Sequence, residues 1–240
     1  MRAILTFHSF DESGSVLSYS PRTFNKLLNA FERGGIPILE LDELLRPETQ
    51  CGVAITFDDG MRTVLTEALP ILRSHSAMAH LFLTTGFVGM SKPRPGQARP
   101  APDFQMLRWS EIEVLQSMGM RIEAHTASHP DLRQLTDDAV WAECEIADET
   151  IVATLGVRPR YFAYPYGRSD ARVRAFARKR YAGSFTTDLR MLRDDEDKAE
   201  LPRLDAFYLR HQLIYDDLRS LHTRSFLAFR RALRKLRSQF

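Results

Sequence analysis

Short apolar runs alternate with amphipathic stretches along the whole chain. The runs 53–57 and 79–83 are typical of strands covered on both faces, because such strands are continuously apolar. Between such runs, apolar residues recur at helical spacing, as they do at Phe24, Leu27 and Phe31. Strands and helices therefore alternate through the sequence, which predicts an α/β protein built on a parallel barrel.

Serine, proline and glycine residues mark the expected ends of the first elements. Ser20 followed by Pro21 predicts the start of a helix, because serine caps helices and proline suits the first position. Gly34 and Gly35 predict its end. The apolar residues that follow predict a second strand over Ile36–Leu41.

Two later helices have comparable signals. Ser110, with Glu113 three residues on, predicts a capped helix start. Thr136 predicts the start of a long helix that runs to Leu155 and ends at Gly156. We expect the acidic residues within it to form a solvated face: Glu143, Glu145, Asp148 and Glu149.

The run 53–57 ends in Asp58, Asp59 and Gly60. In α/β proteins the chemistry collects at the carboxyl ends of such strands. Neighbouring residues leave a strand in opposite directions, so one carboxylate can bind a metal while the other faces the adjacent water or substrate. Taken alone, the tripeptide is equally compatible with an ordinary turn.

Two histidines, His125 and His129, follow another apolar stretch and are separated by three residues. This spacing lets both imidazoles reach one metal ion from a single turn or tight loop. Together with a carboxylate from elsewhere they form a two-histidine, one-carboxylate site with open positions for water and substrate. The conjunction with the tandem aspartates favours a metal site over two structural histidines.

Composition excludes some classes of function. The 33 lysines and arginines nearly balance the 31 acidic residues, which argues against nucleic acid as the main partner. Cys51 and Cys144 form no disulfide or metal pattern, so we expect free thiols. The chain enters an apolar strand at once, which argues against a secretory signal, and no run approaches the roughly 20 apolar residues of a membrane span. We therefore expect a single cytoplasmic domain.

Three motifs together resemble the NodB-type polysaccharide deacetylases, also called carbohydrate esterase family 4. Residues 56–60 are similar to the first motif and 125–129 to the second. Residues 162–167 are similar to the third, in the variant of the branch that deacetylates poly-N-acetylglucosamine. The resemblance spans roughly 1–206 and implies an irregular (β/α)7 barrel, with a groove at the carboxyl ends of its strands. A C-terminal helical extension over 207–240 is expected to follow.

The resemblance implies a metal-dependent hydrolase that removes N-acetyl groups from an amino-sugar glycan or glycan precursor. Metal-bound water would attack the acetamide carbonyl. Asp59, His125 and His129 are the expected ligands of a divalent metal; zinc is the first choice, and cobalt, nickel and manganese are alternatives. Asp58 is the expected general base.

The remaining catalytic roles also follow from the resemblance. Because the motifs of this branch are circularly permuted, His8 after the first strand is the expected general acid. The backbone N–H of Tyr166, with Gly167 beside it, is expected to stabilise the oxyanion and contact the substrate.

The chain departs from the family pattern at two places. Ala163 stands where the commoner third motif has an arginine that orients the base by pairing with an aspartate. We expect Arg203 to replace that arginine, with Asp188 as its acidic partner. The late Leu-x-x-His that usually supplies the general acid is absent near Leu201, so acid catalysis depends on His8 alone.

Two segments leave alternatives open. Residues 91–107 form a long proline-rich stretch, which is either a flap over the substrate groove or a disordered surface insertion. Residues 225–240 combine a basic surround with an apolar helical stripe. That helix packs its stripe on the barrel or a second subunit, or lies on an anionic membrane. The expected stripe is Phe226, Phe229, Leu233, Leu236 and Phe240.

Two other functions remain open on the sequence. The unusual third motif is compatible with an inactive carbohydrate-binding protein on the same fold, although a complete set of ligands and base argues against it. An amidase acting on a non-sugar amide is the other alternative, because the metal chemistry does not depend on what lies beyond the acyl group.

Overall fold

A curled sheet of parallel strands forms the centre of the molecule in the computed structural model, which describes residues 1–91 and 104–237. Two short strands, β2 (Ser9–Phe10) and β3 (Ser18–Tyr19), pair separately near its rim. The strands of the main sheet are β1 (Arg2–Phe7), β4 (Gly52–Asp59), β5 (His80–Leu83), β6 (Arg121–Ala124), β7 (Tyr161–Ala163), β8 (Gly183–Phe185) and β9 (Leu204–Asp205). Across the sheet their order is β8-β7-β6-β5-β4-β1-β9.

Helices follow most strands of the sheet and cover its outer surface. A π-helical turn, Val64–Ala68, leads into α3. The helices are α1 (Pro21–Arg33), α2 (Leu41–Leu44), α3 (Leu69–Ser74), α4 (Trp109–Ser117), α5 (Asp137–Leu155), α6 (Ala171–Arg180), α7 (Gln212–Tyr215) and α8 (Leu221–Arg237). The capping predictions at Ser20 and Thr136 are confirmed, since both side chains accept a hydrogen bond from the backbone three residues on.

The segment before β9 brings the two edges of the sheet together. Leu201 forms a parallel bridge with Phe185 of β8, and Leu204 pairs with Leu5 of β1 a few residues later. The sheet therefore curls round on itself, which confirms the predicted barrel with C-terminal helices. Because all strands are parallel, their carboxyl ends meet at one rim of the barrel.

The interior of the barrel explains the apolar runs of the sequence. All eight residues of β4 are buried, because β1 and β5 flank it and helices cover its outer face. Phe7, Phe10, Phe24 and Phe57 form one aromatic cluster, with ring centroids 4.9–6.5 Å apart. This cluster lies directly beneath the rim that carries the tandem aspartates and His8.

Two predicted elements are wrong in detail. The second strand expected over Ile36–Leu41 is reduced to one bridge between Ile38 and Val53, because β5 takes the same side of β4 further along. The helix expected to start at Ser110 begins at Trp109 instead. Its first turn is capped by Glu111, whose carboxylate accepts a hydrogen bond from the Arg108 N–H at 2.9 Å.

The acidic residues of α5 do not form one solvated face. Asp148 is buried and bonded to Arg180 and Tyr181, and Glu145 also pairs with Arg180. Burial raises the pKa of Asp148 in spite of the arginine. Glu143 turns back towards the histidine loop, so of the four predicted residues Glu149 alone is exposed.

Helix α8 packs on the barrel, which is one of the two interpretations left open by the sequence. Its buried residues are Thr223 and Leu227, and Phe226 packs partly against the core. Phe229 and Leu236 are exposed, so the predicted stripe is wrong at these positions. Phe240 and most of the 91–107 stretch lie outside the described residues. No helix in the described part of the chain is long and apolar enough to cross a membrane.

Candidate metal centre and active site

The tandem aspartates end strand β4 at the carboxyl rim of the barrel. Asp59 and Gly60 both have positive φ, 77° and 92°, so the backbone turns sharply there. A side chain at position 60 would also meet Leu83 at 2.7 Å, which explains the glycine. The turn gives the two adjacent carboxylates different surroundings, and both are buried.

The histidine pair lies on the loop after β6, which is separated from β4 by β5 in the sheet. His125 directly follows the strand, and the chain then passes through Thr126 and His129 at φ values of 66° and 60°. The N–H of His129 donates to Thr126 Oγ1 at 2.9 Å, which closes the loop on itself. This tight loop turns both imidazoles towards Asp59.

Glu143 of α5 supports the same loop from outside. One carboxylate oxygen accepts hydrogen bonds from the N–H groups of Ala127 and Ser128, at 3.1 and 2.8 Å. The other accepts from Ser128 Oγ at 2.6 Å. A single carboxylate therefore fixes the residues between the two histidines.

Asp59, His125 and His129 converge on one point. The Nε2 atoms of His125 and His129 lie 3.5 and 3.7 Å from Asp59 Oδ1. One ligand atom from each of the three residues lies within 4.8 Å of the other two. Zinc bonds of about 2.0–2.2 Å in tetrahedral geometry place neighbouring ligand atoms about 3.4 Å apart, so these separations fit a shared cation.

The protonation of His125 also suits a metal ligand. Its Nδ1 lies 2.7 Å from the carbonyl oxygen of Ala163. A carbonyl only accepts, so Nδ1 carries the hydrogen and the lone pair of Nε2 faces Asp59. Burial lowers the pKa of His125 more than the neighbouring aspartates raise it, so the imidazole is neutral at pH 7.

Asp58 forms a bidentate ion pair with Arg203. The two guanidinium NH groups donate to the two carboxylate oxygens, each at 2.7 Å. Arg203 is fully buried between Phe82 and Phe185, and its Nε donates to the Thr186 carbonyl. Burial raises the pKa of Asp58, but the charge and the hydrogen bonds of Arg203 outweigh it and hold that pKa well below the usual range.

Asp188 is not the partner of Arg203, which corrects the sequence-based expectation. Its carboxylate pairs with Arg231 of α8 at 2.6 Å and with Arg190 at 2.9 Å. Arg203 comes from the segment that closes the barrel, whereas Asp188 lies outside the barrel beneath α8. Asp188 therefore anchors the C-terminal helix.

His8 and Tyr166 lie at the edge of the metal cluster. His8 Nε2 is 3.8 Å from Asp59 Oδ2, on the other side of that carboxylate from the histidine pair. The ring of Tyr166 packs edge-on against His129 with centroids 4.6 Å apart.

The N–H of Gly167 donates to the Tyr164 carbonyl, and a side chain at position 167 would collide with Thr187. The position of Gly167 is therefore explained by packing.

Backbone strain concentrates around these residues. Five non-glycine residues of the described chain have positive φ, and four of them belong to the site: Asp59, Thr126, His129 and Tyr166. Such conformations cost free energy and persist where the surroundings over-determine them, typically at functional sites.

Sequence reasoning missed Glu143 and the carbonyl of Ala163. Glu143 belongs to a helix in which an acidic residue at any exposed position is ordinary, so its spacing has no distinguishing signal. The Ala163 carbonyl is a backbone group that no sequence motif specifies. The structure brings together Asp58, Asp59, His8, His125, His129, Tyr166 and Arg203, which are distributed over most of the chain.

Comparison with known proteins identifies the family of the chain. The family model of the polysaccharide deacetylase domain matches residues 46–181, more than half of the chain. Chitin deacetylase 1 of Cryptococcus neoformans is 45% identical over 71 residues, which are 28% of this chain and 15% of that protein. The putative polysaccharide deacetylase YxkH of Bacillus subtilis is 23% identical over 193 residues, 77% of this chain and 64% of that protein. The chain thus spans less than two thirds of either relative.

Two solved structures share the fold over a larger part of this chain than these two relatives match in sequence. The deacetylase PplD of Streptococcus pyogenes, determined with acetate, has a TM-score of 0.73 at 24% identity and covers 85% of this chain and 91% of its own. IcaB from Ammonifex degensii has a TM-score of 0.70 at 23% identity, over 86% and 93% of the two chains.

The curled parallel barrel is the fold that this chain shares with those two structures. The chain belongs to the polysaccharide deacetylase family. The family match contains Asp58, Asp59, His125, His129 and Tyr166, whereas His8 and Arg203 lie outside it.

Proposed function

We propose that the protein is a divalent-metal-dependent hydrolase that removes N-acetyl groups from an amino-sugar glycan or its precursor. The observation that carries this proposal is the cluster of Asp59, His125 and His129 beside a separate, arginine-held carboxylate, Asp58. A ligand set and an independent base are the two parts that hydrolysis of an unactivated amide requires.

Asp59, His125 and His129 would hold the metal. The two imidazoles and one carboxylate suit zinc, and cobalt, nickel and manganese accept the same donors. Once bound, such an ion would polarise the acetamide carbonyl and lower the pKa of water. The tautomer that the Ala163 carbonyl imposes on His125 keeps its Nε2 ready for this role without rearrangement.

Asp58 acts as the general base. The bidentate bond to Arg203 keeps the carboxylate ionised and fixes its orientation, and each oxygen retains a second lone pair that can accept a proton. Asp58 takes a proton from water, and the oxygen of that water then attacks the acetamide carbon. Arg203 acts through Asp58 and is a positioning residue.

His8 donates the proton that the departing amine needs. It lies across Asp59 from the histidine pair, at a partly exposed position that a substrate can approach. Its place after the first strand supports the circularly permuted branch of the family. The backbone N–H of Tyr166, in the strained turn beside His129, is the proposed donor to the oxyanion.

Acetate release from a panel of N-acetylated glycans and sugar nucleotides tests this function. The metal-free protein should be inactive, and activity should return when zinc, cobalt, nickel or manganese is added. Release from non-sugar acetamides but not from any glycan would establish the amidase instead. Metal binding without release from any substrate would contradict the proposed activity and support a carbohydrate-binding protein.

A further inference from the structure

An arginine-lined cavity lies at the opposite end of the barrel from the metal centre. It has a volume of about 550 Å³ and is enclosed by the start of β1, the segment 189–193 and helix α8. We call it the arginine cavity, after the six arginines that line it: Arg2, Arg190, Arg193, Arg219, Arg224 and Arg231.

The arginine cavity is separate from the catalytic groups. Arg2 begins β1 and His8 follows its other end, so at about 3.3 Å per residue the two lie roughly 20 Å apart. Leu192 bridges Arg2 in antiparallel fashion, which holds the segment 189–193 against the base of the barrel. A ligand bound there would not contact the proposed acyl group.

The positive charge of the arginine cavity is only partly compensated. Four of its arginines pair with carboxylates: Arg2 with Asp194, Arg190 with Asp188 and Glu196, Arg219 with Asp217, and Arg231 with Asp188. The guanidiniums of Arg193 and Arg224 are exposed and have no protein partner among the described residues. The six lining arginines therefore exceed the four carboxylates that pair with them by two positive charges.

The remaining lining is apolar. Leu189, Met191 and Leu227 form part of the wall between the arginines. The volume is within the range of about 300–1,000 Å³ that is typical of small-molecule sites. Guanidinium groups match phosphoryl oxygens in geometry as well as in charge, and they do so better than lysine because of their planar fork.

We propose that the arginine cavity binds a ligand with a phosphoryl group, held chiefly by Arg193 and Arg224, with an apolar part of the ligand against the leucines. The two free guanidiniums supply the specific contacts, and the four paired arginines keep the wall in place. This site is independent of the proposed deacetylation.

Two probes distinguish a soluble ligand from a lipid headgroup. Inorganic pyrophosphate is titrated by calorimetry, and vesicles of phosphatidylglycerol in phosphatidylcholine are tested by flotation. The full-length protein is compared with the double variant Arg193→Ala/Arg224→Ala. The matched control is Arg22→Ala/Lys26→Ala, which removes two exposed charges of α1 that do not line the arginine cavity.

The double variant should weaken binding of at least one probe by about tenfold or more, while the control binds as the wild type does. Loss confined to pyrophosphate would identify a soluble phosphorylated ligand, and loss confined to vesicles a lipid headgroup. Equal losses in both variants would show a non-specific charge effect and overturn the proposal. Absence of wild-type binding to either probe would also overturn it.

Discussion

Two histidine–carboxylate pairs lie in the same barrel, and only one of them is arranged for a metal. His80, at the amino end of β5, pairs with Glu123 of β6 at 3.2 Å. His125, just beyond the carboxyl end of β6, lies 3.5 Å from Asp59. Both pairs are buried, and both contain the residue types that bind zinc.

The two pairs differ in how their hydrogen-bonding capacity is used. His80 Nε2 accepts from the Leu41 N–H, so its Nδ1 donates to Glu123, and no imidazole lone pair remains. The second oxygen of Glu123 accepts from the N–H groups of Arg160 and Tyr161. His125 uses only Nδ1 on the protein and leaves Nε2 directed at Asp59.

The difference shows that position along the strand decides the role. At the amino end, neighbouring backbone groups saturate the pair, and it joins β5, β6 and β7 together. At the carboxyl rim, Nε2 of His125 lies beside the Asp59 side chain instead of a backbone group. Substitutions at His125, Asp58, Arg203 and Glu143 test this contrast, with His80 as a control.

Removal of His125 should have the largest effect. His125→Ala deletes a proposed ligand, so metal affinity should fall by more than the roughly 100-fold that loss of a supporting residue typically costs. Acetate release should become undetectable. His80→Gln is the control: it should lower the free energy of unfolding by about 1–3 kcal/mol and keep full metal stoichiometry. Normal metal content in His125→Ala would contradict the assigned cluster.

Asp58→Asn should separate catalysis from metal binding. The amide cannot accept the proton from water, so kcat should fall by about 100- to 10,000-fold. Metal content measured by mass spectrometry should stay at the wild-type level, because Asp59 and both histidines are untouched. Wild-type turnover in this variant would exclude Asp58 as the base.

Loss of Arg203 should affect stability together with activity. Arg203→Met leaves Asp58 buried without its partner, which typically costs about 3–5 kcal/mol. The double variant Asp58→Asn/Arg203→Met should be less destabilised in urea than Arg203→Met alone, because the buried charge is gone. Additive losses would show that the two residues act independently, against the bidentate pair seen here.

Glu143 should have the smallest effect on the site. Glu143→Ala removes the acceptor for the N–H groups between the two histidines, so metal affinity should fall by about tenfold. Glu143→Gln keeps one acceptor oxygen and should restore part of it. Isothermal titration of zinc into the metal-free variants measures both. Unchanged affinity in Glu143→Ala would show that the loop holds its shape without this support.

Much of this molecule follows from local features of the chain. Largely apolar runs place β1, β4 and β5, because burial on both faces of a strand favours apolar residues. The caps at Ser20 and Thr136 and the glycine at 156 set helix ends through short-range hydrogen bonds and backbone freedom. The tandem aspartates and the histidine pair are contiguous motifs, so their chemistry was also visible in the sequence.

The remaining features depend on long-range packing. Arg203 meets Asp58 across 145 residues, and nothing near either residue distinguishes that pairing from one with Asp188. Three other features also depend on how distant segments pack together. They are the contact of Glu143 with the histidine loop, the bond of the Ala163 carbonyl to His125, and the choice of which side of α8 is buried. The sequence alone determined most of the elements and the reactive residue types. Tertiary structure decided which groups meet, because contacts between distant segments depend on the complete arrangement of the barrel.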